Sequence, residues 1–224
     1  MALRKFTSEN LGINCYLLYD DDTREAIIVD PGEVMPGLID EIDENALLIK
    51  YIFLTHGHAD HIGGVEELKK MYPGAPVAAG AGEKEILADP GKNLSTLILG
   101  RDVSIKPDLE LRDGDEMRIG RWKFDVLETP GHSPGGISIY NGWIVYFGDD
   151  KYSGLVLSGD TLFKHSIGRT DLYGGDREVL VHSILRKLYI LPDNTLVLPG
   201  HMEHTSIIDE KFHNPFTNGE YTPE

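Results

Sequence analysis

The sequence lacks the features that would place the protein in an oxidising compartment or in a membrane. It has a single cysteine, Cys15, so no internal disulfide can form. Its first residues, Met-Ala-Leu-Arg-Lys-Phe, do not form the apolar stretch of a secretory signal peptide. No run approaches the roughly 18 apolar residues that a membrane-spanning helix requires. We therefore expect a soluble protein of the reducing cytoplasm.

Basic residues are also scarce, with 21 Lys and Arg against 37 Asp and Glu and a formal net charge of −16. Nucleic-acid binding draws much of its free energy from the neutralisation of phosphates by Lys and Arg. We therefore expect no nucleic-acid partner and no binding to anionic membrane surfaces. The chain is nevertheless 41% hydrophobic over 224 residues, which is enough for a sizeable core. We expect one domain spanning residues 1–224, and the sequence makes no prediction about oligomeric state.

Short apolar runs alternate with helical patterns along the chain, which is typical of an α/β protein. The predicted strands are residues 14–19, 25–29, 47–55, 122–127, 136–140, 143–147, 155–158 and 196–198, and the predicted helices are 36–45, 62–71, 84–88 and 176–190. Strands and helices in both halves of the chain predict two sheets packed face to face, with helices on their outer sides.

Three connections carry further expectations. Asn141-Gly142 is predicted to be the turn of a hairpin between strands 136–140 and 143–147. Residues 148–154 are interpreted as a surface loop, with a lid or a dimer contact as the alternative. Residues 89–107 show no period and are predicted to be irregular, as a covering loop or a surface excursion.

Five of the nine histidines lie directly after apolar, strand-like runs. The first group is His56-Gly57-His58-Ala59-Asp60-His61, with three imidazoles and one carboxylate within six residues. Neutral imidazole and carboxylate are both ligands for a divalent ion such as zinc. One ion cannot easily collect four side chains from so tight a turn, so the motif favours two neighbouring ions, as in many hydrolases.

His132, Asp160 and His201 follow in order along the chain, each after a strand-like run. With them the sequence resembles the metallo-β-lactamase superfamily from about Cys15 to Phe216. The resemblance implies a four-layer αββα sandwich of two mixed β-sheets. It also implies a first metal held by His56, His58 and His132, a second held by Asp60, His61 and His201, and Asp160 bridging both.

Within that superfamily the chain resembles the short bacterial type of glyoxalase II-like thioesterases, which are related to hydroxyacylglutathione hydrolases. Three segments carry this resemblance: residues 158–163, residues 166–171, and Glu210 to Phe216 with its Asn-Pro-Phe sequence. It implies two divalent ions, zinc first with iron or manganese as alternatives. It also implies hydrolysis of the thioester of a small thiol, such as an S-2-hydroxyacyl conjugate. The nucleophile would be a metal-bound hydroxide, which Asp60 would hold in position for attack.

The chain departs from the glyoxalase II pattern where the family binds glutathione through a Lys and a Tyr. Arg169 and Asp171 occupy those places here. Arg169 is the candidate substrate-binding residue because its guanidinium can hold a carboxylate in a fork, whereas Asp171 would repel one. No C-terminal helical substrate domain is expected after the Asn-Pro-Phe segment, so glutathione specificity is in doubt.

Three rival functions share these residues. The same metal-binding residues would also serve in a hydrolase that cleaves a lactone or another ester. A single iron on His56, His132 and Asp160 would suit an oxygenase that oxidises a persulfide. A non-enzymatic sensor would use the metal structurally, but structural zinc is usually closed by four ligands. The intact Asp60 and His61 favour the two-metal hydrolase.

Four histidines, His165, His182, His204 and His213, have no partner in this pattern. His182 falls on a predicted helix and is interpreted as a packed or surface residue. His165 and His204 lie near the predicted metal loops, where contact with the substrate or with a metal ligand is the alternative.

Overall fold

A computed structural model describes residues 1–219, so the predicted domain limit at Glu224 lies outside the described residues. The strands are β1 (Ala2–Thr7), β2 (Asn14–Tyr19), β3 (Glu25–Val29), β4 (Leu48–Leu54), β5 (Val77–Gly80), β6 (Leu109–Leu111), β7 (Glu116–Ile119), β8 (Trp122–Glu128), β9 (Ile137–Asn141), β10 (Val145–Phe147), β11 (Asp150–Tyr152), β12 (Gly154–Gly159), β13 (Leu162–Phe163), β14 (Ser166–Ile167), β15 (Thr195–Pro199) and β16 (Thr205–Ser206). The helices are α1 (Pro36–Glu44), α2 (Ala59–Ile62), α3 (Val65–Met71), α4 (Lys84–Ala88), α5 (Ser95–Ile98), α6 (Arg177–Ser183) and α7 (Ile207–His213).

The larger strands form two mixed sheets. The first has the order β1-β2-β3-β4-β5-β6, with β3, β4, β5 and β6 parallel and the pairs β1/β2 and β2/β3 antiparallel. The second has the order β16-β15-β12-β9-β8-β7, in which only the β12/β15 pair is parallel. Among residues 1–219, every helix is too short or too polar to cross a lipid bilayer.

Neighbouring residues on the central strands divide between separate apolar layers, because successive side chains of a strand point to opposite faces. Leu18 packs between the two sheets, whereas Leu17 packs under the helices of the first sheet. Leu155 and Leu157 likewise face the first sheet, and Val156 packs with Leu180 of α6. The result is the predicted order of helix, sheet, sheet and helix, which confirms the αββα fold.

The strands predicted at 14–19 and 25–29 are confirmed at the same bounds, and the other main strands agree to within two residues. The helix predicted at 176–190 begins where Asp176 accepts a hydrogen bond from the backbone N–H of Val179. It continues after α6 as a π-helical turn over residues 184–188. In residues 89–107 the one regular element of the described chain is the single turn α5, so this segment is irregular as predicted.

The hairpin predicted around Asn141-Gly142 is wrong. β9 pairs with β8 and β12, and β10 pairs instead with β11 through the turn at Gly148-Asp149. Asn141 is buried at the end of β9, where its amide donates to the carbonyl of Lys123. This contact with β8 keeps Asn141 in the sheet. The interpretation of residues 148–154 as a loop is corrected as well, because they contain β11 and the first residue of β12.

Sequence patterns did not predict β1, β5, β6 or β7. β5 is Val-Ala-Ala-Gly, whose small side chains have low strand propensity, but it lies between β4 and β6 with all four residues buried. Its pairing therefore decides its conformation, and β5 in turn places the turn that follows it against the functional site.

The C-terminal segment is tied to the second sheet by Glu210, whose side chain is fully buried. Its carboxylate accepts hydrogen bonds from the backbone N–H of His165 at 2.9 and 3.1 Å, the hydroxyl of Thr205 at 2.7 Å and the amide of Asn214 at 2.8 Å. Burial raises the pKa of Glu210, and these donors oppose that rise. One carboxylate thus joins α7 to the β13–β14 turn.

We expect Glu210→Ala to lower the free energy of unfolding by about 2–3 kcal/mol, because it removes the shared acceptor of the His165 N–H, the Thr205 hydroxyl and the Asn214 amide. Urea unfolding followed by circular dichroism measures the loss. Glu44→Ala, which removes an exposed acid at the end of α1, should stay within about 0.5 kcal/mol of the parent protein. Equal losses in the two variants would contradict this assignment.

Candidate metal centre and active site

The structure brings all seven sequence-predicted side chains together at one edge of the sandwich. His56 and His58 follow β4, Asp60 and His61 lie in α2, His132 follows β8, Asp160 follows β12, and His201 follows β15. In α/β proteins, groups at the carboxyl ends of parallel strands share one edge of the sheet, where ligands bind. In the first sheet this edge is formed by the carboxyl end of β4, and in the second sheet by the carboxyl ends of β12 and β15.

The first group consists of three buried imidazoles. Nε2 of His132 lies 2.9 Å from Nδ1 of His58 and 3.2 Å from Nε2 of His56. Each of the three side chains offers one ligand nitrogen, and together these nitrogens could bind a single ion.

The second group is richer in carboxylate and closer to solvent. Nε2 of His201 lies 3.1 Å from Oδ2 of Asp60, and Nε2 of His61 lies 4.0 Å from the same oxygen. The ring of His61 is fully buried, whereas the side chains of Asp60 and His201 are 21% and 25% exposed. Solvent therefore reaches the cluster from the side of the second group.

Asp160 lies between the two groups. Its Oδ1 is 3.4 Å from Nε2 of His61, and its Oδ2 is 3.6 Å from Nε2 of His201 and 3.8 Å from Nε2 of His132. Its carboxylate thus contacts both groups, as the family resemblance implied for a bridging ligand. Gly200 makes this approach feasible, because a Cβ at this position would collide with the carboxylate of Asp160 and the ring of His61.

Protein oxygens fix the outward-facing nitrogens of three of these imidazoles. Nδ1 of His132 lies 2.8 Å from the carbonyl oxygen of Arg169, and Nδ1 of His201 lies 3.1 Å from that of Gly12. Because a carbonyl can only accept, Nδ1 carries a proton in both rings. Nε2 of the neutral His132 therefore presents a lone pair to the cluster, and Nε2 of His201 faces the cluster as the atom that a metal would bind.

His56 follows the same scheme through Thr55. The hydroxyl of Thr55 donates to the carboxylate of Asp30 at 2.7 Å, and its oxygen lies 3.1 Å from Nδ1 of His56. The hydroxyl proton is therefore committed to Asp30, and the oxygen accepts from His56. Nε2 of His56 then also presents a lone pair to the cluster.

These residues fit a divalent metal. The lone pairs of the neutral His56 and His132 rings and the carboxylates of Asp60 and Asp160 converge on one small volume, where a cation would relieve their mutual repulsion. Nε2 of His61 and Oδ1 of Asp160 are buried and have no hydrogen-bond partner, although such groups are normally paired. Imidazole and carboxylate are the donors that zinc and iron accept.

The protonation of the two groups differs. Burial lowers the pKa values of His56, His58 and His132, that of His58 to about 3, and neighbouring imidazoles lower the first two further. These rings are neutral near pH 7, as metal ligands must be. Burial would also lower the pKa values of His61 and His201, but nearby carboxylates raise both above the ordinary value. Metal binding at the second group therefore competes with protonation of these two rings.

Asp30 is a site residue that the motif search missed. Its buried carboxylate accepts from the backbone N–H and the hydroxyl of Thr55, each at 2.7 Å, and its Oδ2 lies 3.0 Å from Nδ1 of His61. It therefore supports both His56 and His61 from behind. A signal existed, because Asp30 directly follows the buried strand β3, as Asp160 follows β12.

Glu83 was missed as well, and the sequence offered no signal for it. Its fully buried carboxylate accepts from the backbone N–H of Gly57 at 2.6 Å, the hydroxyl of Ser133 at 2.8 Å and the backbone N–H of Gly135 at 2.7 Å. It ties the His56–His58 turn to the loop of His132. Only the pairing of β5 brings it there.

The side chain of Arg169 is held by its neighbour rather than directed at the cluster. Its Nε and one terminal nitrogen donate to the two oxygens of Asp171 at 2.7 and 2.8 Å, while its backbone carbonyl accepts from His132. Hydrogen bonds from Arg169 lower the pKa of Asp171 to about 2. Arg169 therefore supports His132 through its backbone, and its exposed guanidinium is neutralised by Asp171.

The fold and the histidine-aspartate cluster define a metallohydrolase scaffold. Residues 9–201 match the family described as the metallo-beta-lactamase superfamily, and the chain belongs to this superfamily. It is 41% identical over 220 residues to the probable metallo-hydrolase YqgX of Bacillus subtilis, covering 98% of this chain and 99% of that protein. It is 34% identical over 206 residues to the hydroxyacylglutathione hydrolase GloC of Haemophilus influenzae, covering 92% of each.

Solved structures agree with this assignment. The BLEG-1 B3 metallo-beta-lactamase superposes with a TM-score of 0.84 at 38% identity, covering 97% of this chain and all of that chain. TTHA1623, solved in a di-iron-bound form, superposes with a TM-score of 0.77 at 32% identity, covering 95% and 99%. The chain is therefore a metal-dependent hydrolase by family, with a cluster suited to divalent ions.

We expect Asp30→Asn to weaken metal binding by about 10- to 100-fold, the usual effect of losing a group that orients a metal ligand. Competition with a chromophoric chelator measures the affinity. Asp20→Asn is the matched control, because Asp20 is also buried and accepts backbone hydrogen bonds, but at the opposite end of the first sheet. Asp20→Asn should leave the metal affinity unchanged. Equal affinities in the parent protein and Asp30→Asn would contradict the supporting role.

Proposed function

We propose that the protein is a dinuclear metal-dependent hydrolase that cleaves the thioester of a small thiol, such as an S-2-hydroxyacyl conjugate. The main support for this proposal is that two complete sets of ligands converge, with Asp160 between them. The first set is His56, His58 and His132, and the second is Asp60, His61 and His201. The similarity to GloC supports the thioester substrate.

Two metals account for the cluster better than one. A single ion on His56, His132 and Asp160 would leave Asp60, His61 and His201 without a role, although their ligand atoms lie within 4.8 Å of one another. Zinc is the first choice, with iron or manganese as alternatives, and the di-iron form of TTHA1623 supports the capacity of this fold for two ions.

Two bound divalent ions would supply Lewis acidity, lowering the pKa of a coordinated water to about 7 and polarising the substrate carbonyl. Asp60 is the residue that we assign to orient the attacking water. Burial would raise its pKa, but His61 and His201 lower it, so the carboxylate is ionised and can accept a hydrogen bond from that water.

The proposed reaction is hydrolysis. The water loses a proton to solvent as its oxygen forms a bond to the carbonyl carbon, and the carbon–sulfur bond then breaks. The products are a carboxylic acid, which ionises, and a thiolate. A thiol has a pKa of about 8.5, so the thiolate leaves with little help from a general acid. The buried imidazoles of the first group, which are neutral, are not required to donate a proton.

The test combines metal analysis with a substrate screen. We expect protein purified from its native host to contain two divalent ions per chain, and to release free thiol from S-2-hydroxyacyl thioesters without consuming oxygen. Removal of the metals with a chelator should abolish this activity, and adding them back should restore it. Asp60→Asn should lower kcat by about 100-fold or more, whereas His182→Gln, on an exposed position of α6, should not.

Three outcomes would overturn the proposal or part of it. One iron per chain with oxygen uptake on a persulfide would replace hydrolysis by oxygenation. Full thioesterase activity in protein freed of metal would remove the metals from the reaction altogether. Hydrolysis of lactones but not thioesters would keep the two-metal mechanism and refute the substrate class.

We further propose that Arg169 contacts the substrate and that Asp171 limits its attraction for anionic groups. Asp171→Asn removes the charge that neutralises the guanidinium, and we expect it to raise kcat/KM about 3- to 10-fold for a thioester whose thiol carries carboxylates. Arg169→Gln should lower that value. The thioester of a neutral thiol is the control substrate, for which Asp171→Asn should change kcat/KM less than twofold. Equal effects on both substrates would refute a charge-based role.

A further inference from the structure

Three histidine and aspartate side chains outside the proposed active site form a second, separate cluster. His165 lies in the turn between β13 and β14, and Asp209 and His213 lie on α7. Nε2 of His165 is 2.9 Å from Oδ2 of Asp209, and Nδ1 of His213 is 2.9 Å from Oδ1 of the same carboxylate. The three ligand atoms all lie within 4.8 Å of one another, so one ion could contact them together.

Helix geometry and hydrogen bonds from neighbouring residues hold these three side chains in place. Asp209 and His213 are four residues apart on α7, a spacing that puts them on one face of a helix. The hydroxyl of Thr205, whose proton is shared with Glu210, also lies 3.1 Å from Oδ2 of Asp209. His165 has a left-handed backbone with φ of 55°, and its N–H is bound by the buried carboxylate of Glu210.

The donor set suits a metal ion rather than a structural ion pair alone. Two imidazoles and one carboxylate are the ligands that zinc, nickel and copper take in proteins. Without a metal, both rings must carry a proton toward Asp209 to form the two contacts. A divalent ion replaces those protons and leaves a coordination position open for water or a ligand.

The cluster is accessible. The side chains of His165, Asp209 and His213 are 45%, 35% and 64% exposed. Asp209 and His213 line a groove of about 540 Å³, whose wall also includes Lys151, Lys164 and His204. This volume lies within the roughly 300–1,000 Å³ range of ligand pockets. An ion at the cluster would therefore be reached from the groove and not through the proposed active site.

We propose that His165, Asp209 and His213 form a third, solvent-accessible site for a divalent ion such as zinc. The site shares no residue with the seven-residue cluster and does not depend on the proposed function. A bound ion would join α7 to the segment that leads from Asp160 to Arg169, adding a second tie beside that of Glu210.

Zinc titration of the metal-loaded protein, followed by calorimetry and by metal analysis after desalting, tests the proposal. We expect the parent protein to bind one equivalent of zinc beyond the metal already loaded. His165→Gln and His213→Gln should each lose this equivalent or bind it at least about tenfold more weakly. His204→Gln is the matched control, because His204 lines the same groove outside the cluster, and it should bind like the parent protein.

Thermal unfolding provides a second measurement. Added zinc should raise Tm in the parent protein and in His204→Gln but not in His213→Gln, because only an intact site binds the folded state. Thioesterase activity at fixed metal loading should be unchanged in His213→Gln, which separates this site from the active site. No further zinc bound by the parent protein, or equal binding in His213→Gln and His204→Gln, would overturn the proposal.

Discussion

The seven-residue cluster depends on one constraint, which is that protein oxygens bind the outer nitrogens of three of its imidazoles. The carbonyls of Arg169 and Gly12 and the hydroxyl of Thr55 take the ring protons of His132, His201 and His56. The inner nitrogens of His56 and His132 are then left as lone pairs, and that of His201 faces the carboxylate of Asp60 at 3.1 Å. This arrangement is unfavourable for the protein alone and favourable around cations, so the ring orientations are set before any metal binds.

Buried carboxylates supply the rigidity that this constraint requires. Asp30, Glu83 and Glu210 each accept at least two hydrogen bonds from groups on other segments. Burying a charge without partners is costly, so each of these acids is stable only while its donors stay in place. Each therefore ties two loops together: Asp30 joins β3 to the end of β4, Glu83 joins two metal loops, and Glu210 joins α7 to the β13–β14 turn.

The two ligand groups are not equivalent, and the difference has a functional meaning. The first group is buried, made only of imidazoles, and neutral near pH 7. The second contains Asp60, lies nearer to solvent, and includes His61 and His201, whose raised pKa values favour the protonated form against which a metal competes. Substrate access and proton release thus fall on the same side of the cluster.

Much of the fold and most of the site were predictable because their signals are local. A strand of alternating or continuous apolar residues shows its own period, and the residues that follow it are read directly, as with β2, β3 and the His56–His61 motif. The family resemblance then assigned His132, Asp160 and His201 to the same cluster. Signals that depend on pairing between distant segments were missed, as the wrong partner for β10 and the absence of a prediction for β5 illustrate.

The sequence by itself determined the αββα class, the ligand types and their order along the chain, since these follow from short-range patterns and from residue chemistry. The tertiary structure alone decided which groups support the ligands and which solvent-exposed side chains meet. Asp30 reaches His61, Glu83 reaches Gly57, and His165 reaches Asp209 only because sheet register and helix docking bring distant residues within hydrogen-bond distance. A repeating pattern within one segment cannot predict those distances, because they are set by the packing of the whole chain.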